Sequence, residues 1–416
     1  MRNRPDRCTR NKVPPVRSGY ILVRTSSRDA GQRGRSIFPS YYLPILDIQA
    51  LPPPLSTARP NPSGAALIPH PAHYPLQDTE ASGRCGASTM TLKGTREASH
   101  AFSWYDGDAA SLSSQLDSFL ADVPSSIHDS SLPIPGAKIV IAPHAGYSYS
   151  GPCAAWAYKS LDLSRAKRIF VLGPSHTYYL LGCALTKYAK YATPFGDLTV
   201  DEDVAQQLRD TGKFQDIPNR SDVDEHSLEM HLPYIYKRLT QTFASEAEYP
   251  TIVPVLVGDN SGAQEKEFGE VLAPYLQDPD NAFVVSSDFC HWGTRFSYTA
   301  YAPGGDVDQI HSLGRKAPRP TNPPIHESIK QVDHQAMDAI ETGDHDKFVD
   351  NLRHTKNTVC GRHPIGVVMA ALEVLARAGP SEPGKYRFKF VQYQRSSLVE
   401  DVHDSSVSYA SAYAMV

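Results

Sequence analysis

Several apolar stretches of this sequence end in side chains that can bind metals or transfer protons. The stretch VVSSDFCHWG places Asp288, Cys290 and His291 directly after such a run. AKIVIAPH ends at His144, and RIFVLGPSH ends at His176 in the same way. Imidazole and thiol groups bind transition metals, and imidazole and carboxylate groups also act as acids and bases. The pattern indicates a metal or proton-transfer site, with ordinary turn residues as the alternative.

Another cysteine, Cys360, stands just before a predicted helix in NTVCGRHPIGVVMAALEVL. Pro364 suits the first turn of a helix, where its missing N–H would be unpaired anyway. The positive end of the helix and the nearby Arg362 are expected to lower the pKa of this thiol and so produce the thiolate that binds metals. A buried cysteine that acts as a small hydrophobic side chain is the alternative.

A second set of polar residues lies in DVDEHSLEMHLPY and REASHAFSWY. His226 and Glu229 are predicted to orient a metal ligand from behind, and helix capping is the alternative. Trp104 is expected to pack the first helix onto the sheet. The other predicted pocket residues are His100, Cys290 and Arg362.

The apolar runs are short, rich in Val and Ile, and bounded by Gly, Pro or Ser, which is typical of strands buried on both faces. Apolar residues at helical spacing lie between them and predict helices at 109–121, 151–160, 201–213, 227–240, 264–276, 327–342, 345–353 and 364–378. This alternation predicts one three-layer α/β/α domain with a mainly parallel central sheet, to which two late strands add antiparallel. Ligands bind at the carboxyl ends of such strands, so the polar residues that follow the runs are expected at one edge.

Composition divides the chain into two parts. Residues 1–89 hold thirteen of the 34 prolines and an arginine-rich start, which predicts a disordered tail. A mitochondrial presequence is the less favoured interpretation, because early prolines break an amphipathic helix. Residues 90–416 are predicted to form the folded domain, with a Pro- and Gly-rich surface loop at 302–324.

The overall composition excludes some classes of protein. A net charge of -4 gives no basic surface for nucleic acid. No apolar run reaches the roughly 18 to 20 residues of a membrane span. The six cysteines are scattered and form no CxxC pair, which favours a reducing compartment: the cytoplasm, with the nucleus as the alternative.

Two histidines of this edge together with Cys360 would make a three-ligand metal site. Three protein ligands leave coordination positions open for water or a substrate. A thiolate favours iron, copper or zinc over magnesium. Asp288 and His291 are close enough in sequence for Asp288 to orient the imidazole by a hydrogen bond.

Motifs along residues 94–416 are similar to those of the Memo family, mediators of cell motility. They are REASHAFSWY, IAPHAGYSYSGPCAAWAY, IFVLGPSHTYY, DEHSLEMHLPY, FVVSSDFCHWG, NTVCGRHPIGV and DSSVSYASAYA. The resemblance implies a fold like that of class III extradiol dioxygenases. It also implies that His144, His176 and Cys360 hold iron or copper, and that Asp288 and His291 line the pocket, with His291 at the acid–base position. Those dioxygenases use a carboxylate where this chain has Cys360, so ring cleavage does not follow from the resemblance.

Three hypotheses result. The first is a redox protein that binds iron or copper, with His291 as the acid–base group. The second is an oxygenase that acts with O2 on a small phenolic substrate. The third is a non-catalytic adaptor in signalling that binds a peptide. In each, a small-molecule or peptide ligand is expected at the carboxyl edge of the sheet.

Overall fold

A computed structural model describes residues 91–379 and 382–416. The predicted tail, 1–89, lies outside the described residues. The strands are β1 Thr95–Arg96, β2 Ser126–Ile127, β3 Ser130–Ser131, β4 Ala137–Ala142, β5 Arg168–Pro174, β6 Cys183–Leu185, β7 Lys190–Thr193, β8 Gly196–Thr199, β9 Phe214–Asp216, β10 Thr251–Val257, β11 Asn281–Ser286, β12 His291–Trp292, β13 Ala300–Tyr301, β14 His311–Ser312, β15 Phe388–Arg395 and β16 Ser406–Met415. The α-helices are α1 Ala109–Ala121, α2 Tyr147–Ser160, α3 Glu202–Asp210, α4 Asn219–Asp224, α5 His226–Glu229, α6 Leu232–Thr242, α7 Gly262–Gln277, α8 Ile325–Glu341, α9 His345–Thr355 and α10 Arg362–Ala378.

One large sheet organises the domain, in the order β12-β16-β4-β11-β5-β10-β6-β9, with β15 also paired to β16. Strands β4, β11, β5 and β10 are parallel to their neighbours within this group. The late strands β15 and β16 pair antiparallel, and β16 pairs antiparallel with β4. The prediction of a mainly parallel sheet with late antiparallel strands is confirmed.

The central strands are buried on both faces, and their side chains alternate between two hydrophobic clusters. In β5, Ile169 and Val171 pack into one cluster, whereas Phe170 and Leu172 pack into the other. The first cluster also contains residues of α1, α2 and α6. The second contains residues of α7, α8 and α10. The sheet therefore lies between two helical layers, as predicted.

Two predicted elements differ in detail. The helix predicted at 227–240 is divided into α5 and α6, because Pro233 lacks an N–H and its ring clashes with the preceding turn. The segment 302–324, predicted as a surface loop, contains two 3-10 turns and β14. In this segment Ala302 and Val307 are buried against Val332. Among the described residues, no helix is both long and apolar enough to cross a membrane.

Candidate metal centre

Three neighbouring parallel strands bring the predicted site residues to one edge of the sheet. His144 follows β4, His176 follows β5 and Asp288 follows β11, the strand between them. The ring centroids of His144 and His176 are 5.3 Å apart. The backbone N–H of His144 donates to Asp288 Oδ1 at 2.8 Å. The carboxyl ends of parallel strands meet at one edge, so these contacts follow directly from the topology.

Cys360 reaches the same point from the start of α10. Its Sγ lies 3.2 Å from His144 Nε2. One donor atom from each of His144, His176 and Cys360 lies within 4.8 Å of the others. An ion with a metal–nitrogen bond of about 2.1 Å and a metal–sulfur bond of about 2.3 Å joins donor atoms up to about 4.4 Å apart, so the 3.2 Å between Cys360 Sγ and His144 Nε2 suits a shared ion. The three side chains therefore form a possible metal-binding group.

Gly361 permits this close approach of α10 to the end of β11. A Cβ atom at this position would lie 2.2 Å from the backbone oxygen of Ser286 and 2.4 Å from Ser287 Cβ. The backbone N–H of Gly361 also donates to Ser287 Oγ at 3.1 Å. Only a residue without a side chain fits here, and it is the residue next to Cys360.

Gly361→Ala is expected to destabilise the fold by about 1 to 3 kcal/mol, because the added methyl group meets backbone atoms that cannot move aside easily. The same displacement should lower metal content by moving Cys360. Gly314→Ala is the matched control, since a Cβ there meets nothing within 4 Å. Denaturant unfolding and metal analysis measure both effects, and equal stability of the two variants would contradict the packing argument.

The protonation of His144 follows from its hydrogen-bond partners. Its Nδ1 lies 2.6 Å from Ser286 Oγ, and this hydroxyl donates its own proton to the carbonyl oxygen of Ser227 at 2.7 Å. Ser286 Oγ must therefore accept from Nδ1–H, which leaves a lone pair on Nε2. Burial lowers the pKa of His144 well below its ordinary value. His144 thus presents a neutral nitrogen to the sulfur of Cys360.

Glu225 holds His176 in the corresponding way. Its Oε1 accepts from His176 Nδ1 at 3.0 Å, and its Oε2 accepts from the backbone N–H of His176 at 2.7 Å. Burial alone would raise the pKa of Glu225, but the charge and hydrogen bond of His176 hold this pKa well below its ordinary range. A carboxylate on Nδ1 fixes the orientation of the ring and leaves Nε2 as the atom that would bind an ion. Sequence reasoning missed Glu225, although its place beside His226 in DEHS was a signal.

Glu229 was predicted to orient a metal ligand, but its carboxylate contacts other residues. Its carboxylate accepts from Arg96 at 2.6 Å, from His100 Nδ1 at 2.9 Å and from the hydroxyl of Tyr105 at 2.7 Å. The prediction that Glu229 orients a metal ligand is corrected: it orients His100. The spacing of two nearby carboxylates could not show which one reaches His176.

His226 lies against the candidate ligands rather than behind them. Its ring stacks on His176 with centroids 4.4 Å apart and planes 14° apart. The other side of His226 meets Trp104, with ring centroids 4.5 Å apart, and His100 at 5.9 Å. Trp104 was expected to pack under the first helix, but it is partly exposed above His226. His100, Trp104 and His226 therefore line the rim of the site.

The expected hydrogen bond between Asp288 and His291 is replaced by backbone contacts. His291 Nδ1 lies 2.9 Å from the carbonyl oxygen of Phe289 and 3.2 Å from that of Thr358. Carbonyl oxygens only accept, so Nδ1 carries the proton and Nε2 is left as a base. Burial lowers the pKa of His291 to about 4. Burial raises the pKa of Asp288 to about 7, and its carboxylate holds the backbone of His144 instead.

The thiol of Cys360 was expected to have a lowered pKa, and this prediction is wrong. Burial and the charge of Asp288 raise the pKa of the Cys360 thiol well above its ordinary value. The cation expected beside it points elsewhere, since Arg362 lies 3.2 Å from Asp259. Arg362 therefore does not supply the positive charge that would favour the Cys360 thiolate.

Cys290 does not join the group of imidazole and thiol donors. Its side chain is buried in a hydrophobic cluster with Trp292 and Tyr298. Its backbone N–H donates to the buried Asp333 at 3.1 Å. Cys290 therefore helps to hold the chain that carries His291 without facing the ligands.

Known proteins are similar to the part of this chain that contains all the residues of the site. A family model described as a Memo-like protein matches residues 96–413. Protein MEMO1 of Xenopus laevis is 44% identical over 321 residues, which cover 77% of this chain and 97% of that protein. Protein MEMO1 of Homo sapiens is 44% identical over 315 residues, or 76% of this chain and 95% of that protein. Protein memo-1 homolog of Caenorhabditis elegans is 42% identical over 331 residues, or 79% and 85% of the two chains.

Proposed function

Because this chain belongs to the family of Memo-like proteins, we propose that it is a metal-binding protein that holds one redox-active ion at His144, His176 and Cys360. The observation that carries the proposal is the set of donor atoms. Nε2 of His144 has a free lone pair, Glu225 holds His176 by its Nδ1, and the sulfur atom of Cys360 lies 3.2 Å from His144 Nε2. Such convergence of two nitrogens and one sulfur is typical of transition-metal ligands.

The donor set favours iron or copper, with zinc as a third possibility. A thiolate and two neutral imidazoles are too soft for magnesium or calcium. When bound, an iron or copper ion supplies one-electron redox chemistry and an open coordination position. Its positive charge would also favour loss of the thiol proton of Cys360, whose pKa is otherwise raised by burial.

The remaining residues of the site bind and move protons in this proposal. His291 is the acid–base group, because its Nε2 is a free base while two carbonyl oxygens hold Nδ1–H. Asp288 positions the two ligands. Its carboxylate holds the backbone of His144, and its backbone N–H donates to Cys360 Sγ at 3.2 Å.

A ligand would bind at the rim formed by His100, Trp104 and His226. The exposed side of Trp104 offers a flat apolar surface beside the imidazoles. A small phenolic compound or an aromatic side chain of a peptide fits this surface by stacking. Oxygen uptake with a panel of catechols distinguishes an oxygenase from a redox protein of another kind, and the absence of uptake across the panel counts against the oxygenase.

Metal analysis of protein purified without oxygen tests the proposal. The unaltered chain is expected to carry roughly one iron or copper ion, and Cys360→Ser and His144→Ala should each lose most of it. Cys153→Ser and His403→Ala are the matched controls, since Cys153 lies in the core and His403 on the surface. Unchanged metal content in Cys360→Ser and His144→Ala would rule out the proposed ligands.

A reducing compartment suits this site. The four cysteines in the described part of the chain are free thiols. Free thiols persist in the cytoplasm and nucleus, where glutathione keeps them reduced. The free thiols therefore support our proposal that the protein resides in the cytoplasm or nucleus.

A further inference from the structure

A groove lies between α8 and the edge strand β15, apart from the metal centre. Its volume is 640 Å³. One wall is a helical stripe of α8, formed by Lys330, His334 and Met337. The other wall is the half-buried strand β15, and the exposed Leu398 closes one end. Strand β15 pairs only with β16 among the described strands, so its outer side faces this groove.

The charges of the groove are of one sign. The charged residues that line it are Lys330 and Arg395, and no carboxylate lines it. Among the described residues, no acidic side chain forms an ion pair with Lys330, and Nδ1 of His334 has no hydrogen-bond partner. Arg395 is held beside Glu327 at 3.4 Å. The groove therefore offers two cationic groups, of which Lys330 is unpaired, beside apolar side chains.

Apolar side chains also line the groove, and they restrict the ligands that it can bind. Met337, Phe390 and Leu398 line it, and Leu398 is 59% exposed. An exposed leucine at the end of an apolar groove is a site at which a partner's apolar side chain gains burial. The groove thus suits a ligand that carries both negative charge and an apolar group.

The edge of β15 restricts what this ligand can be. The backbone N–H of Phe390 donates to Glu341, and that of Tyr393 donates to the side chain of Gln392. Such caps oppose the edge-to-edge pairing by which two copies of a strand associate. The first 35 residues of this chain carry ten basic residues and two acidic ones, so their charge has the same sign as the groove.

We propose that this groove binds an extended acidic segment of a partner protein. Carboxylates of the segment pair with Lys330 and Arg395, and one large apolar side chain packs between Met337 and Leu398. The segment binds through its side chains and not as an added strand, because the backbone donors of Phe390 and Tyr393 are already used. This surface is independent of the metal proposal.

Selection from a phage library of random peptides about twelve residues long tests the inference. The probe is the full-length chain as purified, and Lys330→Glu and Leu398→Asp are selected in parallel. Peptides rich in Asp or Glu with one large apolar residue should be enriched on the unaltered chain and not on the two variants. A synthetic copy of the most enriched peptide should bind at least about tenfold more weakly to each variant and lose affinity with added salt.

Lys389→Glu is the matched control, because Lys389 is an exposed cation of the same strand that does not line the groove. It should bind the peptide within about twofold of the unaltered chain. The proposal is overturned if no acidic peptides are enriched, or if Lys389→Glu weakens binding as much as Lys330→Glu. It is also overturned if binding is lost in Trp104→Ala but kept in Lys330→Glu, because the peptide would then bind at the rim of the metal site. A dimer that Leu398→Asp abolishes would assign the groove to a second copy and overturn it also.

Discussion

Arg96→Met is expected to lower the free energy of unfolding by about 3 to 5 kcal/mol, because it leaves two buried carboxylates without their cation. Arg96 is fully buried, and its guanidinium lies 2.6 Å from Glu229 and 3.3 Å from Asp222. Methionine has a similar length but no charge. The loss therefore measures the cost of two unpaired negative groups in the core rather than the cost of a cavity.

Chemical denaturation at neutral pH measures this loss. Arg319→Met is the control, since Arg319 pairs with Glu400 at the surface and such pairs contribute about 0 to 1 kcal/mol. Arg96→Lys should fall between the two, because lysine keeps the charge but has three donors instead of five. A loss below about 1 kcal/mol in Arg96→Met would show that the carboxylates find other partners.

Arg96 also connects the stability of the fold to the metal centre. Its guanidinium donates to the backbone oxygens of Asp222, Val223 and Glu225. These contacts fix the short segment from which Glu225 and His226 extend. The motif that begins at Arg96 is therefore far from the ligands in sequence but determines where their supporting residues lie.

The sequence allowed us to predict which polar residues lie at the carboxyl edge of the sheet. Apolar runs of β-branched residues indicated buried parallel strands, and parallel strands that are adjacent place their carboxyl ends together. The contact of His144 with Asp288 follows from that rule alone. The place of Cys360 depended in addition on the resemblance, since no spacing rule relates it to His144 and His176, which lie 216 and 184 positions earlier.

The residues that orient the ligands could not be predicted in the same way. Glu225 and Glu229 are four positions apart, and the choice between them depends on how the segment packs against β5. Gly173 makes that packing possible, because a Cβ there would lie 2.6 Å from Ser227 Oγ. Burial caused the other errors, since the raised pKa of Cys360 depends on surroundings that periodicity does not reveal.

Glu225→Gln is expected to weaken metal binding by about 10- to 100-fold, because the amide reverses the hydrogen bonding behind His176. The carboxylate accepts three hydrogen bonds, from His176 Nδ1, from the backbone N–H of His176 and from the backbone N–H of Ser227. An amide replaces one acceptor with a donor. If that donor faces Nδ1, the ring proton moves to Nε2, and the nitrogen that should bind the ion is blocked.

Competition with a chelator of known affinity measures the change. Glu267→Gln is the matched control, because Glu267 is exposed and its closest ion pair is 3.8 Å long. Both variants should keep roughly native circular dichroism, since glutamine has nearly the shape of glutamate. An affinity for iron or copper equal to that of the control would show that Glu225 does not set the tautomer of His176. A loss of the fold in Glu225→Gln would instead show that the carboxylate acts mainly by holding α5, and His176→Ala would then be needed to identify the ligand.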